Sequence, residues 1–204
     1  MARLFDFDNP VWKLMGRVAD LFFLTLLWAV CSLPVVTAGA STTALYYVAL
    51  KMAKNHEGYL AKAFFRSFRE NFVLSTVVWV VMAGLGGLLA AGGLAVSRMP
   101  VEQSAFFLCA LVVFAILYLM TLTMLFPLAA RLDTGAGSLF LMAFMTAVKH
   151  FSWVFLMTVL SLCVAALGIF VFWPVLFVGA GGIAWVHGLI LEHMIFPKYG
   201  WEEK

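Results

Sequence analysis

Apolar residues fall into long runs along this chain, and the charges gather in the short stretches between them. Such runs occupy residues 19–36, 72–96, 104–125, 151–172 and 174–191. A crossing helix needs about 20 apolar residues to cover about 30 Å of hydrocarbon, so each run predicts a membrane span. A sixth run, 38–53, is shorter and opens with small and hydroxyl-bearing residues from Thr37 to Ala44. Pro34 should break or kink the first span near its end.

Residues 63–72 carry a different period. Lys62, Arg66 and Arg69 recur at helical spacing on one side, while Phe64, Phe65, Phe68 and Phe72 fall on another. That pattern predicts an amphipathic helix lying flat at a membrane surface, rings down and basic heads toward phosphates. A degenerate version returns at 138–150 and again leads into an apolar run. Segments 63–96 and 142–172 therefore share an order, with Asn71-Phe72 matching His150-Phe151, which is a weak internal repeat within a single domain, 1–204.

Two stripes of small residues run at every fourth position. Ala83, Gly87 and Ala91 mark the 72–96 run, and Ala180, Ala184 and Gly188 the last one. Small residues let a second helix approach closely, whether from this bundle or from another protein. The 37–47 region has two readings. It is either a closely packed helix whose hydroxyls bond to carbonyls four residues back, or a helix break lining a cavity with Thr37, Ser41, Thr42, Tyr46 and Tyr47 as its polar lining. At the margins, Asn9-Pro10 is a helix start, Trp12 sits at headgroup depth, and Trp173-Pro174 makes a tight turn.

Composition agrees with the pattern. Hydrophobic residues make up 65% of the chain and charged ones 11%, against about 25% charged in a soluble domain. The fold class is therefore all-α, a polytopic transmembrane helix bundle with two interfacial amphipathic helices. The net charge of +3 matters less than its placement. Lys51, Lys54, Lys62, Arg66 and Arg69 belong on the cytoplasmic side by the positive-inside rule. Arg3, Lys13 and Arg17 ask for the same side, and so do Arg131, Lys149, Lys198 and Lys204. Both ends are cytoplasmic only if 38–53 crosses, which gives six spans; five is the alternative. The stretch before residue 19 is long and holds Asp6 and Asp8, unlike the short positive start of a signal peptide, so the first span reads as a retained anchor.

Candidate chemistry is sparse. Cys31, Cys109 and Cys163 each sit inside an apolar run and read as reduced small hydrophobes. His187 lies in the last span, with Glu192 and His193 at its end. His187 is expected to be neutral and bonded to a backbone carbonyl, and Glu192 is not stacked on it at helical spacing. No phosphate-binding loop, metalloprotease motif or hydrolase elbow occurs. The expectations are no enzyme activity, no cofactor, no metal and no nucleic acid, with anionic lipid as the partner of the basic helix.

Several stretches resemble one family over nearly the whole chain. They are Phe7-Asp8-Asn9-Pro10, Leu33-Pro34-Val35-Val36-Thr37-Ala38-Gly39-Ala40, Ala44-Leu45-Tyr46-Tyr47, residues 63–72, and Phe126-Pro127-Leu128 followed by Arg131. The chain resembles the YesL family of bacterial membrane proteins, a family of unknown function whose members are often encoded beside carbohydrate ABC-importer components. The resemblance implies a protein of the bacterial cell membrane acting as an accessory or regulatory subunit of such an importer, in contact with its permease subunits. The alternative is a stand-alone small-solute transporter or channel, as a homo-oligomer. The resemblance supplies no catalytic residues.

Overall fold

A computed structural model describes residues 10–54, 59–170 and 176–199. Every regular element among them is helical. The Asn9 cap, the Trp12 side chain, the polar residues 55–58 and the Trp173-Pro174 turn lie outside what it describes.

Eight α-helices follow in order: α1 Pro10–Ser32, α2 Ala38–Ala53, α3 Leu60–Glu70, α4 Phe72–Val96, α5 Val101–Arg131, α6 Ala136–Lys149, α7 Phe151–Phe170 and α8 Leu176–Ile190. Five of these segments are long and apolar enough to cross a membrane, the lower of the two counts expected. The helix at 38–53 forms but has 16 residues, about 24 Å at 1.5 Å per residue. It does not lie at the edge: α2 packs against α1, α3, α4, α5 and α8 and is the most enclosed helix in the bundle.

Small residues make that central position possible. A Cβ on Gly39 would stand 2.5 Å from the Ser75 carbonyl oxygen and 2.6 Å from Trp79 Cβ, so α4 touches the α2 backbone there. On another side Gly188 of α8 sits over Ala49, with 3.2 Å left for a Cβ. Gly181 is packed as tightly against the Leu21 carbonyl of α1, where a Cβ would have 2.6 Å. Between apolar helices the gain comes from close van der Waals contact and interhelical hydrogen bonds, and glycine maximises the first.

The breaks between helices follow from residue chemistry. Pro34 takes an extended conformation (φ −75°, ψ 114°), and α1 stops at Ser32. The Thr37 hydroxyl then donates to the Cys31 carbonyl at 2.6 Å, satisfying one of the carbonyls left over at the α1 C-terminus. Pro127, by contrast, lies inside α5, which runs on to Arg131 rather than ending near 126. At 31 residues, about 46 Å, α5 is longer than the hydrocarbon is thick. Asn71 alone joins α3 to α4, and His150 alone joins α6 to α7. In each case the hinge N–H bonds four residues back, to Ser67 or Thr146, and the hinge carbonyl accepts from Ser75 or Val154.

After α8 a π-helical turn, Leu191–Ile195, and a 3₁₀ turn, Phe196–Lys198, keep the chain on the bundle. Glu192 is thereby held against the helices rather than released into a tail.

Candidate functional site

Apart from contacts elsewhere, such as Thr123 of α5 with Thr158 of α7, three groups of polar side chains inside the bundle gather on or beside α2. The first is a hydroxyl seam near its N-terminus. Thr42 and Thr43 donate to the carbonyls of Ala38 and Gly39, four residues back. Each then reaches a neighbouring helix: Thr42 accepts from Trp28 Nε1 at 3.1 Å, and Thr43 meets the Ser75 hydroxyl at 2.7 Å. Ser41 pairs with Ser32. Thr25 follows the same rule in α1, donating to the Leu21 carbonyl while accepting from the Gly181 N–H. A hydroxyl bonded within its own helix can enter an apolar interior without leaving a polar atom unpaired.

The second group is the pair Tyr46 and His187, which α2 and α8 bring together across most of the sequence. His187 is fully buried. Its Nε2 lies 3.0 Å from the Met157 carbonyl, and a carbonyl only accepts, so Nε2 carries hydrogen. In the neutral ring Nδ1 is then the acceptor, and the Tyr46 hydroxyl donates to it at 2.9 Å. The two rings are nearly parallel, with centroids 6.0 Å apart. Ser161 Oγ also donates to the Met157 carbonyl, at 3.0 Å. The expected carbonyl bond of His187 is present; the tyrosine partner was not legible from spacing.

The third group closes the other end of α2. Glu192 Oε1 accepts from Arg131 Nη1, and Glu192 Oε2 lies 3.4 Å from Lys54 Nζ. The Arg131 and Glu192 side chains are both buried, and the Phe196 ring lies 4.5 Å from the guanidinium. Removing one partner from a buried pair costs about 3–5 kcal/mol, because the other charge is stranded. Three segments distant in sequence are pinned here.

The sequence-designated residues distribute as follows. Thr37, in the turn before α2, and Ser41 and Thr42 within it all bond to α1, Tyr46 bonds to His187 of α8, and Lys51 Nζ lies 4.4 Å over the Tyr47 ring. Ala184 and Gly188 are buried against the bundle and Ala180 is half-buried. Ala83, Gly87 and Ala91 all face outward, and a Cβ on Gly87 would meet nothing within 4 Å. The close approach of α4 to α5 is made instead by Gly86, over Tyr118, and by Gly92, over Leu111.

On α3, Lys62, Arg66 and Arg69 are exposed. Arg66 donates to Glu70 at 2.9 Å, and this hydrogen bond and the carboxylate charge raise its pKa. The aromatic set divides. Phe64 is fully buried and Phe68 half-buried, while Phe65 and Phe72 are exposed. Phe64 contacts both Phe65 and Phe68, whose ring meets Phe72 in turn. Among the described residues no group of three or more His, Cys, Asp or Glu could hold a metal ion.

With this geometry in view, comparison with known proteins gives one finding. The model of a family described as "Protein of unknown function, DUF624" matches residues 21–92. That stretch runs from within α1 to the last turns of α4 and contains the hydroxyl seam, Tyr46 and Lys54, but not His187, Arg131 or Glu192. No curated protein and no solved structure matches the chain.

Proposed function

We propose that this multi-pass, helical membrane protein is a non-catalytic accessory or regulatory subunit that binds the permease helices of a carbohydrate ABC importer in the bacterial cell membrane. One observation carries the reading: of two small-residue stripes, that on α8 is consumed by packing within the fold, whereas Ala83, Gly87 and Ala91 of α4 face outward unused. A smooth face of this kind admits a second transmembrane helix at short distance. The resemblance to the YesL family supplies the identity of that second protein. The interior supports the same reading over a stand-alone transporter, since Ser41, Thr43 and His187 are buried and bonded within the bundle.

The topology belongs to the same proposal. α2 reverses α1, with Thr42 beside Trp28 and Lys54 joining Glu192 at the far end. Arg17 of α1 lies 5.6 Å over Trp185, one turn before Gly188. Arg17, Lys54, Arg131 and the end of α8 thus gather at one face, which the positive-inside rule makes cytoplasmic. Reporters fused at the N-terminus and after Asn55 should both read cytoplasmic.

The experiment is detergent purification of the tagged protein with its Gly87→Leu variant. Wild type should recover importer permease subunits. The variant should melt unchanged, because its side chain enters open space, and should lose those subunits. Recovery undiminished by the substitution, or sugar uptake by the reconstituted protein alone, would defeat the proposal.

A further inference from the structure

Two hollows that share Phe144 flank the outward face of α6, and one of them has a charged end. Toward the start of α6, Gly137, Phe140 and Phe144 close a groove of about 660 Å³ against Leu85 of α4 and Phe114 of α5. Phe144 is shared with a second hollow of about 540 Å³ that ends at Lys149 and Tyr199. From Gly137 to Lys149 the two together run about 18 Å at 1.5 Å per residue. The polar groups along the first part are already committed within the bundle: the Tyr118 hydroxyl donates to the Met82 carbonyl, and Thr121 to the Leu117 carbonyl. An occupant there meets only hydrocarbon and must demand no hydrogen bonds.

The other end is positive. Among the described residues no carboxylate lies within ion-pair distance of Lys149 or Lys198. Lys149 Nζ sits 5.3 Å from the Tyr199 ring, and the Tyr199 hydroxyl is 3.2 Å from His150 Nε2. Burial first, and then the charges of Lys198 and Lys149, lower the pKa of His150. The neighbourhood resists a further cation and suits an anion.

We propose that α6 binds one anionic phospholipid, its headgroup phosphate held between Lys149 and Lys198 and an acyl chain laid along the two hollows past Phe144 to Gly137. The complementarity is one of charge at one end and of saturated polarity at the other. Basic recesses between membrane helices are established headgroup sites, and the groove falls within the about 300–1,000 Å³ of small-molecule sites. This site is separate from the basic face of α3 and does not depend on the importer reading.

The test uses the full-length protein in nanodiscs containing phosphatidylglycerol and phosphatidylcholine with the same acyl chains, followed by native mass spectrometry of the lipid retained. Wild type should retain phosphatidylglycerol preferentially. K149Q/K198Q should reduce that preference at least about fivefold. Gly137→Leu fills the groove, and its added Cβ meets nothing within 4 Å, so the fold should survive while retention of both lipids falls. K62Q/R66Q/R69Q on α3 should leave the preference in place. An undiminished preference in the double variant overturns the site, as does its loss in the α3 triple variant alone. Unchanged retention in Gly137→Leu overturns the placement of the chain, and displacement of the lipid by soluble glycerol phosphate would mark a site for free anions instead.

Discussion

In α3 the inward side chains are Phe64 and Ser67, followed by the hinge residue Asn71; in α6 they are Ala143 and Thr146 at the matching positions, together with Leu139 and Ala147, followed by the hinge His150. Aligned on those hinges, the two helices and the spans behind them bury and expose nearly the same positions. Ser75 and Val78 of α4 correspond to Val154 and Met157 of α7, and all four are buried. Apart from the pair Phe65 and Phe144, the outward positions do not correspond in chemistry. Lys62, Phe65, Arg66 and Arg69 of α3 stand where α6 has Leu141, Phe144, Met145 and Val148, all of them exposed. The shared inward register sets how each helix leans on the bundle, while the outward residues select its surroundings: charge turned to water and headgroups, or apolar side chains turned to hydrocarbon. α6 therefore turns apolar side chains outward where α3 turns charge, and buries Ala143, Thr146 and Ala147 along with Leu139.

The largest effect should come from exchanging the inward residues. Phe64→Ala removes a fully buried ring, and a cavity of that kind costs about 3–5 kcal/mol. Ala143→Phe forces a ring into a site with no room for it and should cost about 1–3 kcal/mol. Thermal melts in one detergent would measure both. If Ala143→Phe were neutral, the two inward sites would differ in tightness and the shared register would be superficial.

The outward faces should respond with the opposite ranking. Met145→Arg places a cation where hydrocarbon is expected and should cost about 2.5–3.5 kcal/mol if α6 lies at membrane depth. Arg66→Met, the reverse change on α3, removes only an exposed pair with Glu70 and should stay within about 0.5 kcal/mol. Insertion efficiency and detergent stability of the two variants decide the matter. Equal tolerance would put both helices in the same surroundings.

Much of this arrangement was legible in the chain. The runs at 72–96 and 151–172, the helix carrying Arg66 and Arg69, and the break at Pro34 all appear close to where apolar continuity, helical period and proline geometry put them. These are local properties, and local patterning determines them. The 16-residue α2 was harder to place, because small and hydroxyl residues suit a buried helix and a cavity wall equally; only its neighbours decide between them. The same holds for facing. Gly87 and Gly188 are alike in sequence, yet one meets open space and the other Ala49. Tyr46 with His187, and Lys54 with Arg131 and Glu192, join residues that no spacing rule connects. The π-helical turn at Leu191–Ile195, which keeps Glu192 on the bundle, has no sequence signature of its own here.

The smallest predicted effect separates the two hinges by pH. Asn71 does not titrate; its amide donates to the Ser67 carbonyl and hydroxyl at 3.1 and 3.2 Å. His150 does titrate, and burial with Lys198 and Lys149 nearby lowers its pKa in the folded protein. The unfolded chain, with an ordinary value of about 6.5, then binds the proton more readily than the folded one. Stability should be unaffected by this group above about pH 7 and should decline as pH falls through 6.5 toward the lower folded value. His150→Asn installs the other hinge's residue and should flatten that part of the profile, while the lost Tyr199 contact lowers stability by about 1 kcal/mol at every pH. Melting temperatures of delipidated wild type and variant in a neutral detergent between pH 5 and 8 provide the check, so that no bound phosphate offsets the two lysines. A wild-type profile that rises on acidification would mean that an anion, not the two lysines, dominates the field at this hinge, and the electrostatic contrast between the two units would have the wrong sign.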